Sequence, residues 1–283
     1  MTDKNKFISR LADNPFLIMS HRGFWGGNII QNTTQSADLA YRAGSDIVEV
    51  DVCRSLDGVY YLFHDGGELG LLGIDKHFSH LTSDFIDNVS VLNTLGTPSG
   101  YRIQRLSEFL EWLPDDSLVN IDRSWTYWND KAFFDLLHHS GKAENLLLKS
   151  PVQEEWLSNL EKMARGIAYM PIVYQREDVI AVMMRHQVNL VGVEIVAPIN
   201  NDFLDSNLSV ELKQQQILIM ANAEKLGEHF DLFVGLDDDA SLFNQINQGW
   251  DAYLNRGIDI IQTDWPNFMN EYRRTYQKSE VKR

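Results

Sequence analysis

Ile47-Val48-Glu49-Val50-Asp51-Val52 alternates aliphatic and acidic residues with a period of two. An extended chain therefore sends Glu49 and Asp51 to one face and the valines to the other. A strand that is aliphatic apart from those two carboxylates belongs in a parallel sheet covered on both sides. The carboxylates then sit about 6.6 Å apart along the strand, and two unpaired anions in a core are costly. Two arrangements relieve that cost. A hard divalent ion, Mg²⁺ or Ca²⁺, takes several oxygen ligands and can be bracketed by a pair on one strand; alternatively, inward Lys or Arg side chains neutralise each carboxylate.

Seven further aliphatic runs surround this one: Phe16–Met19, Leu118–Ile121, Leu146–Leu148, Ile167–Tyr174, Leu190–Val196, Ile217–Met220 and Ile258–Ile261. Amphipathic segments lie between them, at Thr33–Ala43, Ser107–Trp112, Asp130–His139, Gln153–Ala164, Asp178–His186 and Leu242–Arg256. Strand and helix alternate, which argues for a parallel sheet, and eight units argue for closure into a (β/α)8 TIM barrel, α/β in class. The 283 residues suit a single barrel domain spanning 1–283. One stretch is too long for a simple loop: after strand two the chain runs through Val59–Phe63 and a glycine-rich turn, and residues 66–100 read as an insertion on the upper rim. The polar tail after Tyr272 is expected to fray.

Composition excludes several classes of partner. A formal charge of −15 disfavours nucleic acid and anionic membrane surfaces, which need a positive face. A phosphate-bearing small molecule must then be held locally, with a cation. The single cysteine, Cys53, rules out an intrachain disulfide and fits a reducing cytoplasm. Residues 1–14 lack the apolar core of a secretion signal, and no stretch is long enough to span a bilayer. The expected protein is cytoplasmic, without stable membrane insertion; oligomeric state is not legible.

Strand ends carry the candidate chemistry. His21-Arg22-Gly23 follows the first run, His64-Asp65 follows Val59–Phe63, and Asp122 ends Leu118–Ile121. A histidine moves protons near neutral pH, an arginine grips phosphate oxygens in a fork, and a glycine admits close backbone approach. Two histidines allow one to act as base while the other protonates the leaving oxygen. Asp122 is the third candidate metal ligand with Glu49 and Asp51, although an aspartate in this position also serves as an N-cap or turn residue. Asp237-Asp238-Asp239 reads as a solvated turn and helix start, and Trp125, Tyr127 and Trp128 as packing aromatics.

Taken together, His21-Arg22-Gly23, Gln31-Asn32-Thr33, Glu49-Val50-Asp51-Val52, Asp57-Gly58 and His64-Asp65 resemble the opening half of the glycerophosphodiester phosphodiesterase family, and Gly257 to Pro266 resembles its last strand. The resemblance implies metal-dependent hydrolysis of a glycerophosphodiester to an alcohol and a phosphomonoester. In that reading His21 and His64 are the acid–base pair, Glu49, Asp51 and Asp122 hold one divalent ion, and Arg22, Gln31, Lys149 and Trp265 contact substrate. It also implies that the insertion is a small subdomain over the substrate.

The chain departs from the family pattern at several points. Gln31 stands where a glutamate precedes Asn-Thr, Asp122-Arg123-Ser124 replaces Glu-x-Lys, and the segment around Met220–Ala223 lacks a tryptophan motif. Lys149, at the end of the next strand, either restores the lost amine or pairs with Glu194. These changes keep two other readings open: a phospholipase D-like or lysophospholipid phosphodiesterase, and a non-catalytic barrel that binds a phosphorylated ligand.

Overall fold

Aliphatic runs become barrel strands here because both their faces are covered. In the computed structural model, which describes residues 5–243 and 249–280, the strands are β1 (Leu17–Ser20), β2 (Ile47–Arg54), β3 (Tyr60–Leu62), β4 (Leu118–Asp122), β5 (Leu146–Pro151), β6 (Ala168–Val173), β7 (Gly192–Ile195), β8 (Leu218–Asn222) and β9 (Ile260–Thr263). Eight of them pair in parallel in the order β1-β9-β8-β7-β6-β5-β4-β2, and β1 pairs back onto β2. The sheet is thus a closed (β/α)8 barrel, and the eight expected runs each supply one strand.

Helices fill the crossovers. They are α1 (Lys6–Leu11), α2 (Thr34–Ala43), α3 (Glu68–Leu72), α4 (Ser83–Asn88), α5 (Leu106–Trp112), α6 (Lys131–His139), α7 (Glu154–Met163), α8 (Arg176–Met183), α9 (Ser206–Gln214), α10 (Asp238–Leu242), α11 (Trp250–Asn255) and α12 (Pro266–Glu280). Local chemistry sets their ends: Thr33 and Ser36 form a reciprocal capping box on α2, and Gly44 closes it at φ 106°. The segment Leu242–Arg256 is not one helix. It holds the end of α10 and all of α11, and part of it lies outside the described residues. Helix α9 escaped the sequence pattern because it buries only Leu208 and Leu212. No helix among the described residues is long and apolar enough to cross a membrane.

Inside the barrel, alternate residues make the core. Leu17, Met19, Ile47, Leu118, Leu147, Ala168, Met170, Leu218, Met220 and Ile260 form one buried plug. Gly192 belongs to this layer, since an added Cβ would stand 2.6 Å from Met170 Cε. Two residues further along the strands, the inward positions turn polar: Glu49, Asn120, Lys149, Glu194, Asn222 and Gln262, each at most 5% exposed. The floor of the site is therefore an aliphatic plug.

Residues 66–100 lie between β3 and α5, and β3 runs antiparallel on the upper half of β2, with Cys53 opposite Tyr61. Tyr61, Phe63, Phe78, Ile86 and Val91 form a separate buried cluster with Cys53 and Ile30, and the Phe63 and Phe78 rings stack at 4.5 Å.

The tail does not fray after Tyr272. Helix α12 continues to Glu280, and Arg273 is buried on the barrel, where it donates to Asp46 and to the Phe16 and Gly44 carbonyls. Asp46 also accepts from the Ile18 amide at 2.9 Å, so this ion pair clamps the β1–β2 closure. Arg273→Met should leave Asp46 buried without its cation and cost about 3 kcal/mol, read as a lower urea midpoint; an unchanged midpoint would show that the seam closes without it.

Candidate active site

Glu49 and Asp51 are 1% and 3% exposed and face into the barrel mouth. Glu49 Oε2 accepts from the Arg22 amide at 2.7 Å. Asp51 Oδ2 accepts from Asn32 Nδ2 at 3.0 Å and pairs with Arg22 Nε at 3.1 Å, while the Asp51 amide donates to Asn32 Oδ1. Burial, reinforced by the Asp51 charge, holds the Glu49 carboxyl well above the usual range. Asp122 lies opposite Asp51 on β4; its Oδ1 accepts from the Arg123 amide, and its Oδ2 pairs with Lys149 Nζ at 3.1 Å.

Lys149 also reaches Glu194 Oε2 at 2.8 Å. Of the two roles open in the sequence the Glu194 pairing is the one observed, and the same ammonium also holds Asp122. Burial alone would depress its pKa, but the two carboxylates outweigh burial and raise it. Gln31 Oε1 accepts from Arg22 Nη1 at 2.9 Å, so the amide that replaces a glutamate holds the arginine fork. Arg22, Asn32 and Arg123 sit at φ 57°, 57° and 53°, left-handed backbone that non-glycine residues adopt at a cost. Three such residues at one mouth mark a loop set held in place by these contacts. Gly23 serves the same end, since at φ +79° an added Cβ would meet Ser36 Oγ at 2.6 Å.

The histidines stand in opposite environments. His21 Nδ1 bonds Asp264 Oδ1 at 2.9 Å. Burial opposes its protonation, yet the Asp264 hydrogen bond and the Glu224 and Glu49 charges prevail and push its pKa up to about 9. For His64, burial outweighs Asp51 and, aided by Arg22 and Arg123, pulls the pKa below the ordinary 6.5. Beside it, Asp65 is paired with Arg123 Nη2 at 2.8 Å.

Sequence reasoning missed the residues behind His21. Asp238 is not solvated: it is 1% exposed and accepts from Trp250 Nε1, Thr263 Oγ1 and the Asp264 amide. Burial pushes its pKa up to about 7. It fixes the backbone that aims Asp264 at His21. Only Asp237 does the capping expected of the acidic triplet. Glu224, buried and pushed up to about 7 mainly by desolvation, was missed too; its place two residues past Asn222, with the same parity, was the available signal.

Other residues settle as packing or surface. Trp128 is buried with its indole on Ser124, Tyr127 accepts from the Arg54 amide, and Trp125 packs near Trp156. His77 caps the short 78–80 turn, while His138 bonds the Met163 carbonyl. Trp265 is 41% exposed and lines an outer groove with Phe243, Phe268 and Tyr272, a set that includes none of the polar mouth residues.

A closed barrel thus carries two rim histidines and a set of inward carboxylates at one mouth. Residues 21–133 match the model of the glycerophosphoryl diester phosphodiesterase family, and residues 169–273 match that of a domain of unknown function. Among solved structures, the chain is similar to a glycerophosphodiester phosphodiesterase from Agrobacterium tumefaciens (22% identity, 89% of this chain and 97% of that one, TM-score 0.61). It is also similar to a glycerophosphoryl diester phosphodiesterase from Parabacteroides distasonis (15% identity, 93% and 90%, TM-score 0.70). A third is an Oleispira antarctica phosphodiesterase in complex with the product sn-glycerol-3-phosphate (18% identity, 92% and 97%, TM-score 0.64). No curated protein matches the chain. The resemblance read from the motifs is thus met by the family model over residues 21–133, and the fold is that of the solved relatives.

If Asp264 is what keeps His21 protonated, Asp264→Asn should lower the His21 pKa by at least about one unit, followed by NMR titration of the imidazole. An unmoved titration near 9 would transfer that role to Glu224 and Glu49.

Proposed function

We propose that this barrel hydrolyses glycerophosphodiester-type phosphodiesters to an alcohol and a phosphomonoester. The observation that supports the reading is two histidines in unlike surroundings at the mouth that holds Glu49, Asp51 and Arg22: His21 is hydrogen-bonded to Asp264, which helps to raise its pKa, and burial pulls that of His64 down. Environments that push two titratable groups apart assign an acid and a base. His64 then takes the proton of the attacking oxygen, water or a neighbouring substrate hydroxyl, and His21 protonates the departing alcohol. Arg22 is positioned by Gln31 and Asp51 to grip phosphate oxygens.

A divalent ion, Mg²⁺ or Ca²⁺, fits the donor chemistry in part. Glu49 Oε1 and Asp51 Oδ1 carry none of the hydrogen bonds described above, and Glu49 is burdened by neighbouring anions that such an ion would offset. Yet among the described residues no group of three or more His, Cys, Asp and Glu side chains is gathered to hold a metal, and Asp122 is engaged by Lys149. Glu49 and Asp51 are therefore the proposed ligands, and Asp122 would join them only by giving up Lys149. When bound, the ion would neutralise charge building on the phosphoryl oxygens. The saturation of Asp51 and Asp122 by Arg22 and Lys149 is also what a phosphate-binding barrel without turnover would show.

Turnover of a panel of glycerophosphodiesters and lysophospholipids, scored as released phosphomonoester, tests the reading. His21→Ala and His64→Ala should each lower kcat at least about 100-fold, and chelator should abolish activity until Mg²⁺ or Ca²⁺ is returned. Near-wild-type rates in both variants sink the assignment, chelator-resistant turnover removes the ion, and ligand binding without turnover favours the binder. The pH profile of kcat/KM should be bell-shaped, falling below 6.5 as His64 gains a proton and falling again through about 9 as His21 loses its own.

A further inference from the structure

On the β8–β9 side of the mouth, three acceptor atoms are buried without a hydrogen bond: Asn222 Oδ1, Glu224 Oε2 and Gln262 Oε1. Their residues are 5%, 5% and 4% exposed. Their other ends are committed: Asn222 Nδ2 donates to Glu194 Oε1 at 2.6 Å, and Gln262 Nε2 donates to Glu224 Oε1 at 2.9 Å. Asn222 and Gln262 are register neighbours on adjacent parallel strands, and Glu224 follows Asn222 by two residues. Alternation turns Asn222 and Gln262 toward the mouth, and the Gln262 amide holds Glu224 beside them. Buried acceptors are almost always satisfied, and leaving several empty in one place is costly. With Glu224 ionised the set offers oxygens and no donor, so its complement is a group that brings donors.

Glu224 lies close enough to His21 for each charge to act on the other. Whatever fills the acceptor set therefore stands beside the proposed acid, where the alcohol departs. We propose that Asn222, Glu224 and Gln262 form a subsite for the leaving alcohol and grip a head group rich in N–H or O–H donors, an ammonium or a polyol. The inference rests on the hydrolytic reading and adds the alcohol that reading leaves open. An ammonium supplies three donors and no acceptor, one for each orphaned oxygen. A polyol supplies fewer donors, each with lone pairs of its own. A trimethylammonium brings charge without a donor, and an ethyl group brings neither.

The test uses diesters of glycerol 3-phosphate whose second alcohol is 2-aminoethanol, glycerol, choline or ethanol. The aminoethyl or glyceryl diester should exceed the ethyl diester about tenfold in kcat/KM, and the order of those two identifies the donor. Gln262→Met and Asn222→Leu should each collapse the ratio toward one, and two variants keep the test open should one fail to fold. Equal rates across the four alcohols, or ratios untouched in the variants, overturn the subsite and leave three acceptors satisfied by water. Calorimetry with free ethanolamine, glycerol and ethanol separates the two claims. If no diester is turned over, the hydrolytic reading fails, while binding of ethanolamine or glycerol that is lost in Gln262→Met still supports the subsite and no binding overturns it.

Discussion

The ammonium of Lys149, held between Asp122 and Glu194, is the contact on which the polar mouth depends. Four strands present carboxylates inward above an aliphatic plug: Glu49 and Asp51 on β2, Asp122 on β4, Glu194 on β7 and Glu224 just past β8. Anions at that density cannot all remain charged in a buried space unless cations stand among them. Lys149 serves the β4–β7 side, Arg22 serves Asp51, and the His21 imidazolium answers Asp264 and Glu224. Glu49 has no side-chain cation of its own among these pairs, and burial with the Asp51 charge holds its carboxyl well above the usual range.

The same ring sets the two histidines in unlike electrostatic surroundings. His21 faces three carboxylates, whereas His64 lies on the side occupied by Arg22 and Arg123. Neither histidine is special in isolation; their neighbours distinguish them, Asp264, Glu224 and Glu49 around His21 and Asp51, Arg22 and Arg123 around His64. Asp238 extends this order inward, since a buried carboxyl that accepts from Trp250, Thr263 and the Asp264 amide fixes the group that fixes His21.

Most of the frame was legible in the chain because period-two alternation and aliphatic runs are local signals. Glu49 and Asp51 announced themselves as charges on an otherwise aliphatic strand, and His21 and His64 by their positions after strands. What was not legible depends on contacts between distant segments. Asp238 looked like one of three solvated aspartates until Trp250 and Thr263 enclosed it. Arg273 looked like part of a loose tail until its partners, 227 residues earlier at Asp46 and in the Phe16 carbonyl, were in view. The acceptor set of Asn222, Glu224 and Gln262 arises only when two strands come into register. Lys149 was legible as ambiguous, and the Glu194 pairing is the one observed, with Asp122 held by the same ammonium.

The clamp of Arg273 on Asp46 has a consequence for biosynthesis. The strand that closes the circle, β9, and the helix that locks it leave the ribosome after the other elements of the barrel, and well after β1 and β2. A nascent chain must therefore hold an open, curling sheet with its first strand unpaired on one edge until residues beyond 270 have emerged. Unpaired edges invite association with other chains, so the interval before α12 emerges is when this barrel is most exposed to aggregation.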